Sequence, residues 1–92
     1  MNTEATISKT FVIGNEYGIH ARPAALFVKC ASKYISDIQV GKDGLFVAGK
    51  SIIGLLTLEA FQGAEIEVIA KGDDAQDAID ALSKLIDDNF GE

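Results

Sequence analysis

The order of apolar patterns along the chain predicts an α+β fold in which helices cover one face of a four-stranded antiparallel sheet. Three observations carry this prediction. Residues 23–34 and 75–89 each repeat apolar side chains at spacings of three and four, the period of a helix with one buried side. Two short apolar runs flank Lys42-Asp43-Gly44, and an Asp-Gly pair between such runs is a strong hairpin signal. A hairpin that tight admits only antiparallel pairing, and helices on one face of the sheet bury both stripes economically.

Taken in order, Lys9 to Ile13 is rich in β-branched and aromatic residues and reads as a strand. Gly14 to Gly18 is a loop. Proline is tolerated only in a helix's first turn, so Pro23 sets the start of the first helix around His20 or Ala21. Ala24, Phe27, Val28, Ala31 and Tyr34 form its core-facing stripe, with Cys30 at the flank as a small packing residue. Ile38 to Gly41 and Leu45 to Ala48 make the hairpin, and Ser51 to about Leu58 a short helix. Glu65 to Ala70 alternates as a half-buried strand, and Lys71 to Asp74 turns into the last helix, Ala75 to about Asn89. Its stripe is Ile79, Leu82, Ile86 and Phe90, with Asp73 or Asp74 as N-cap. The element order is β-α-β-β-α-β-α.

The 92 residues are expected to form a single domain, with 1–6 a flexible N-terminal extension. A composition 48% hydrophobic and 24% charged is ordinary for a soluble globular chain. The apolar run from Ile52 to Leu58 is too short to span a bilayer, and the N-terminus lacks the regions of a signal peptide, so no membrane insertion is expected. One cysteine cannot form an internal disulfide, which fits a reducing, cytoplasmic compartment. The net charge of −6 argues against a nucleic-acid partner and leaves basic protein partners open.

The chemistry concentrates in Gly18-Ile19-His20-Ala21-Arg22-Pro23, which holds the chain's one histidine and one proline. His20 falls at a helix start, where free N–H groups and the positive end of the helix dipole favour an anion. The guanidinium of Arg22 suits phosphate oxygens, and imidazole is a nucleophile that forms covalent intermediates. The plainer alternative is a histidine that only caps the helix and an arginine whose stem covers apolar surface. Coincidence of three anion-favouring features within a few residues makes the segment a candidate phosphohistidine site.

Lys50-Ser51-Ile52-Ile53-Gly54-Leu55-Leu56-Thr57-Leu58 is too apolar for a surface helix with one buried stripe. Some of Ile52, Ile53, Leu55 and Leu56 must face solvent or a partner, which marks a docking patch. Ser51 sits where an N-cap belongs, and it is also placed to be a phosphorylation site. One histidine with one cysteine cannot build a usual zinc site, and no Gly-rich phosphate loop or nucleophile elbow is present, so neither metal nor cofactor is expected. The carboxylates, spread over turns and the outer face of the last helix, read as solvating charge.

Gly18-Ile19-His20-Ala21-Arg22-Pro23-Ala24 resembles the phosphohistidine signature of HPr, the phosphocarrier family of the bacterial phosphoenolpyruvate:sugar phosphotransferase system. Lys50-Ser51-Ile52-Ile53-Gly54 resembles that family's regulatory-serine signature and stands at the expected distance from it; Gly63-Ala64-Glu65-Ile66 and Gly72-Asp73-Asp74-Ala75 also match. The resemblance spans about Lys9 to the C-terminus. It implies the HPr open-faced β-sandwich, four antiparallel strands with three helices on one face. It further implies that His20 accepts a phosphoryl group through Nδ1, that Arg22 stabilises it, and that Ser51 is the target of an HPr kinase/phosphorylase. Ile52, Ile53 and Leu56 would form the docking patch, with Ala25 and Lys29 at its rim. The expected partners are enzyme I as donor and IIA proteins or domains as acceptors. On this reading the chain is a monomeric, stoichiometric carrier and not an enzyme. Tyr17 departs from the small polar residue common in sugar-type members and is closer to the larger residue of the nitrogen-type NPr proteins, so the branch stays open. A regulatory protein that binds partners without passing phosphate on, and a purely structural module, are the rival readings.

Overall fold

Alternation along the strands decides which face of the sheet the helices cover. In the computed structural model, which describes residues 5–92, the elements are β1 (Thr6–Val12), α1 (Ala21–Ala31), β2 (Asp37–Lys42), β3 (Leu45–Ala48), α2 (Ile52–Thr57), β4 (Glu65–Lys71) and α3 (Ala75–Asp87), followed by a 3₁₀ turn, Asn89–Gly91. The strands form one antiparallel sheet in the order β1-β4-β2-β3. Phe11 pairs with Ile66, and Val40 with both Val68 and Val47, which puts these residues on the covered face. The fold class is the one the sequence predicts.

The helical stripes close over that face. Ala24, Phe27 and Ala31 of α1, Leu55 of α2, and Ala78, Ile79, Leu82 and Ile86 of α3 are buried with Ile38, Val40, Ile66 and Val68 from the sheet. Val28 and Tyr34, assigned to the α1 stripe from the sequence, are only half-buried at its edge. The hairpin turns on Asp43 and Gly44, both at positive φ (52° and 84°), the backbone that a two-residue hairpin loop demands.

Four local expectations need correction. β1 begins at Thr6 rather than Lys9, because Thr6, Ile7 and Ser8 continue the ladder against Lys71, Ala70 and Ile69. An edge strand needs no continuous apolar pattern, so its polar beginning gave no signal. Of the extension expected at 1–6, residues 1–4 lie outside the described residues, while the carbonyl of Ala5 already accepts from Gly72 N–H at 2.9 Å.

The last helix stops at Asp87, before Asn89. Asn89 and Phe90 take φ of 51° and 56°, turning the chain so that the Phe90 side chain, 1% exposed, enters the core. Left-handed backbone is costly for phenylalanine, and burial of its ring offsets that cost. Ile13 lies beyond the strand, yet it is buried and donates its N–H to Ala64 O at 2.8 Å.

Asp74 holds the N-cap position of α3 without capping it. Its carboxylate instead accepts from the backbone N–H groups of Ile35 and Ser36, each at 2.9 Å, and from the Ser36 hydroxyl. The Ser36 hydroxyl bond is the largest influence on this carboxyl. Together with the two backbone bonds it outweighs partial desolvation and holds the group below the usual carboxylate range.

Candidate functional site at the start of α1

The loop before α1 is built to hold its residues still. Gly18 adopts φ +65°, and Ile19, buried in the core, donates its N–H to Ala60 O at 2.8 Å. The buried amide of Asn15 donates to Gly18 O at 2.6 Å, closing the loop from within. His20 follows as the N-cap residue in extended backbone (φ −87°, ψ −169°), and its side chain makes no cap bond.

The free donors of the helix can be counted one by one. His20 N–H is used by Gly18 O at 3.0 Å, and Ala24 N–H makes the first helical bond to His20 O at 3.0 Å. Pro23 has no N–H. The N–H groups of Ala21 and Arg22 are left without a partner among the described residues, at the positive end of the α1 dipole. The Arg22 side chain is 66% exposed, free to swing towards an anion at this end.

One anion is already close by. Glu92 places Oε2 2.8 Å from Nε2 of His20 and 3.9 Å from Nη1 of Arg22. Its other oxygen accepts from Asn15 Nδ2 at 3.0 Å. Partial desolvation pushes the Glu92 carboxyl up, but the bonds from Asn15 and His20 and the nearby Arg22 guanidinium prevail and hold it below its ordinary value. Tyr17 meets the imidazole edge-on, with ring centroids 6.1 Å apart and planes at 86°. Asn15, Glu16, Tyr17, His20, Arg22 and Glu92 line an open cleft around the ring. With Nε2 engaged by Glu92, Nδ1 is the nitrogen left without a bond among the described residues.

The second predicted cluster lies on α2, which packs beside α1. Ser51 is an N-cap: its hydroxyl oxygen accepts from Gly54 N–H at 3.0 Å. Leu55 and Leu58 turn into the core, whereas Ile53 is 77% exposed and Ile52 and Leu56 are exposed beside it. The sequence required some of these apolar residues to face outward, and these three do. Ala25 and Lys29 are exposed on α1. His20 and Arg22 thus share one site, while Ser51, Ile52, Ile53 and Leu56 form a surface of their own on the next helix.

Asn15 and Glu92 were not singled out in the sequence. Glu92 lies 72 residues from its histidine partner, and no periodicity or short motif reports a bond of that span. Reading the carboxylates as solvating charge therefore fails at Glu92.

Comparison with known proteins bears on the whole chain. Residues 7–88 match a family model described as PTS-HPr, the PTS HPr component phosphorylation site. A curated relative, the phosphocarrier protein HPr of Treponema pallidum (strain Nichols), is 38% identical over 86 residues, covering 94% of this chain and 98% of that protein. The crystal structure of HPr-C-His from Thermoanaerobacter tengcongensis superposes with a TM-score of 0.91 at 49% identity, covering 94% of this chain and 97% of the other. That of a phosphocarrier protein HPr from Bacillus anthracis gives a TM-score of 0.84 at 38% identity, covering 89% and 98%.

Proposed function

The chain belongs to the HPr family of phosphocarriers of the phosphotransferase system, and we propose that its His20 takes a phosphoryl group on Nδ1 from phosphorylated enzyme I and passes it to IIA proteins or domains. One observation carries this reading. An imidazole Nδ1 and two backbone N–H groups, none with a partner among the described residues, meet an exposed guanidinium at the start of a single helix.

The transfer is a displacement at phosphorus. The Nδ1 lone pair forms the new N–P bond as the donor's bond to phosphorus breaks, its electron pair leaving with the donor. The N–H groups of Ala21 and Arg22 and the Arg22 guanidinium stabilise the phosphoryl oxygens. Because the site is an open cleft at the surface, a donor or acceptor approaches the phosphorus in line without the fold opening. On this reading the protein is a stoichiometric carrier: the group ends on the acceptor and His20 is regenerated.

The exposed apolar surface of Ile52, Ile53 and Leu56, with Ala25 and Lys29 at its rim, is where enzyme I and IIA dock. Ser51 borders that surface, so a phosphoryl group placed there by an HPr kinase/phosphorylase alters docking rather than chemistry. No described helix is long and apolar enough to cross a membrane.

Incubation with phosphoenolpyruvate and enzyme I tests the assignment. The parent protein gains one acid-labile, base-stable phosphoryl adduct and His20→Ala gains none. An adduct that persists in His20→Ala overturns it.

A further inference from the structure

His20 has a second nitrogen, and the structure occupies it. Nε2 lies 2.8 Å from Oε2 of Glu92, a bond that a carboxylate can only accept, so in the neutral ring this contact places the proton on Nε2. Glu92 is itself held. Its Oε1 takes one proton of the Asn15 amide at 3.0 Å, while the other proton goes to Gly18 O at 2.6 Å. Both partners of that amide are pure acceptors, which fixes its orientation. Asn15 is 4% exposed and sits in the loop that also sets the backbone of His20. The chain Gly18–Asn15–Glu92–His20 therefore ties the imidazole to the same loop that positions it.

From this geometry, and resting on the phosphocarrier reading above, we propose that Glu92 is a positioning residue for phosphoryl transfer: anchored by Asn15, its carboxylate takes the Nε2–H of His20 and so presents Nδ1 to the phosphorus as a bare lone pair. A neutral histidine in water exchanges between two tautomers, and the one carrying its proton on Nδ1 cannot attack from that atom. The hydrogen bond made by one ring nitrogen decides which nitrogen holds the proton. Glu92 selects the competent tautomer and restrains rotation of the ring, with Tyr17 against its edge.

The carboxylate also suits the charge that transfer creates. When the Nδ1 pair forms the N–P bond, the proton on Nε2 stays where it is and the ring becomes positively charged. The electron pair of the broken bond leaves with the donor. Glu92, hydrogen-bonded to that ring, faces the new positive charge; when the phosphoryl group departs, the ring is again neutral with its proton on Nε2. No proton has to be exchanged with solvent in either direction. This division of labour, a nucleophilic nitrogen on one side and an orienting carboxylate on the other, follows the logic by which a buried carboxylate orients a catalytic histidine elsewhere.

Glu92→Ala and Glu92→Gln test the proposal, since neither touches the core. Nitrogen-15 NMR of the His20 ring at a pH where it is neutral reads the tautomer directly. Stopped-flow transfer from phosphorylated enzyme I reads the rate at saturating donor and the half-saturating concentration separately. In Glu92→Ala the Nδ1–H tautomer grows, the saturating rate falls about 10-fold, and the half-saturating concentration is unchanged. Glu92→Gln keeps one acceptor oxygen where the carboxylate uses two, so it cannot take both the Asn15 amide and the Nε2–H. The Nδ1–H tautomer grows here as well, and the saturating rate stays below the parent's. A Glu92→Ala protein with the parent's tautomer ratio, or with the parent's saturating rate, overturns the role of Glu92 and leaves the carrier function standing. A parent protein that takes no phosphoryl group on His20 overturns both.

Discussion

Gly18 lies flush against the backbone of Ala60, with no room between them for a side chain. A Cβ on Gly18 would stand 2.6 Å from the Cα of Phe61 and nearer still to the Ala60 carbonyl oxygen, and its φ of +65° is strained for any L side chain. The next residue, Ile19, donates to that same carbonyl at 2.8 Å. The loop that presents His20 is thereby clamped to the segment following α2. Gly18→Ala is expected to destabilise the fold by at least ~2 kcal/mol, from backbone strain and a clash that only backbone movement relieves. Chemical denaturation measures the loss, and amide shifts concentrated at Ile19 to Arg22 locate it. A variant as stable as the parent contradicts the clamp.

Arg22 is expected to serve transfer and not folding. Its guanidinium is 66% exposed and its one ion pair among the described residues, with Glu92, is a loose 3.9 Å. Exposed pairs of this kind contribute at most about 1 kcal/mol. Arg22→Ala should therefore melt close to the parent while transfer to and from His20 slows by about 100-fold, the scale of losing one oriented donor from an anion site. A large drop in melting temperature with normal transfer shows Arg22 to be structural.

Ser51 separates its two roles by substitution. Ser51→Ala removes the acceptor for Gly54 N–H and should cost about 1 kcal/mol, as loss of an N-cap does. Ser51→Asp keeps an oxygen at the helix start, where negative charge is favoured, so stability is retained. Its charge falls beside Ile52, Ile53 and Leu56 and should slow transfer from enzyme I at low salt, with partial recovery at high salt. Equal transfer rates for Ser51→Asp and the parent at every ionic strength place the docking surface elsewhere.

Asp74 gives the fold an acid limit. Its carboxyl is held below the usual carboxylate range, chiefly by the Ser36 hydroxyl, so the charged form belongs to the folded state. The stability it contributes is fully present above the ordinary carboxylate pKa of an unfolded chain and is lost as pH falls through the depressed folded value. Asp74→Asn should accordingly melt below the parent at neutral pH, and the gap should close as the solution is acidified through the carboxylate range. A gap that stays constant with pH assigns the effect to hydrogen bonding without titration.

These elements differ in how far the sequence exposed them. Phe27, Leu82 and Ile86 were legible because helical burial repeats, and Pro23 fixed the start of α1 because only a first turn accepts it. The outward side of α2 was legible from an excess of apolar residues over what one stripe can bury. Local interactions of this kind leave local patterns. Glu92 on His20 and Asp74 on Ser36 span 72 and 38 residues and depend on long-range packing, so Glu92 resembled solvating charge and Asp74 a plain N-cap. The polar beginning of β1 was hidden for a related reason, since an edge strand is defined by its neighbour β4 rather than by its own alternation.

The central claim is that phosphate moves on and off His20. Phosphorus-31 NMR of the protein with catalytic enzyme I and phosphoenolpyruvate, followed by addition of a IIA protein, observes both halves of that cycle in one sample. The parent is expected to develop a resonance of Nδ1-phosphohistidine that disappears when the acceptor is added, while His20→Ala stays silent throughout. A resonance that forms but never discharges to any acceptor, or one that also forms in His20→Ala, contradicts the account.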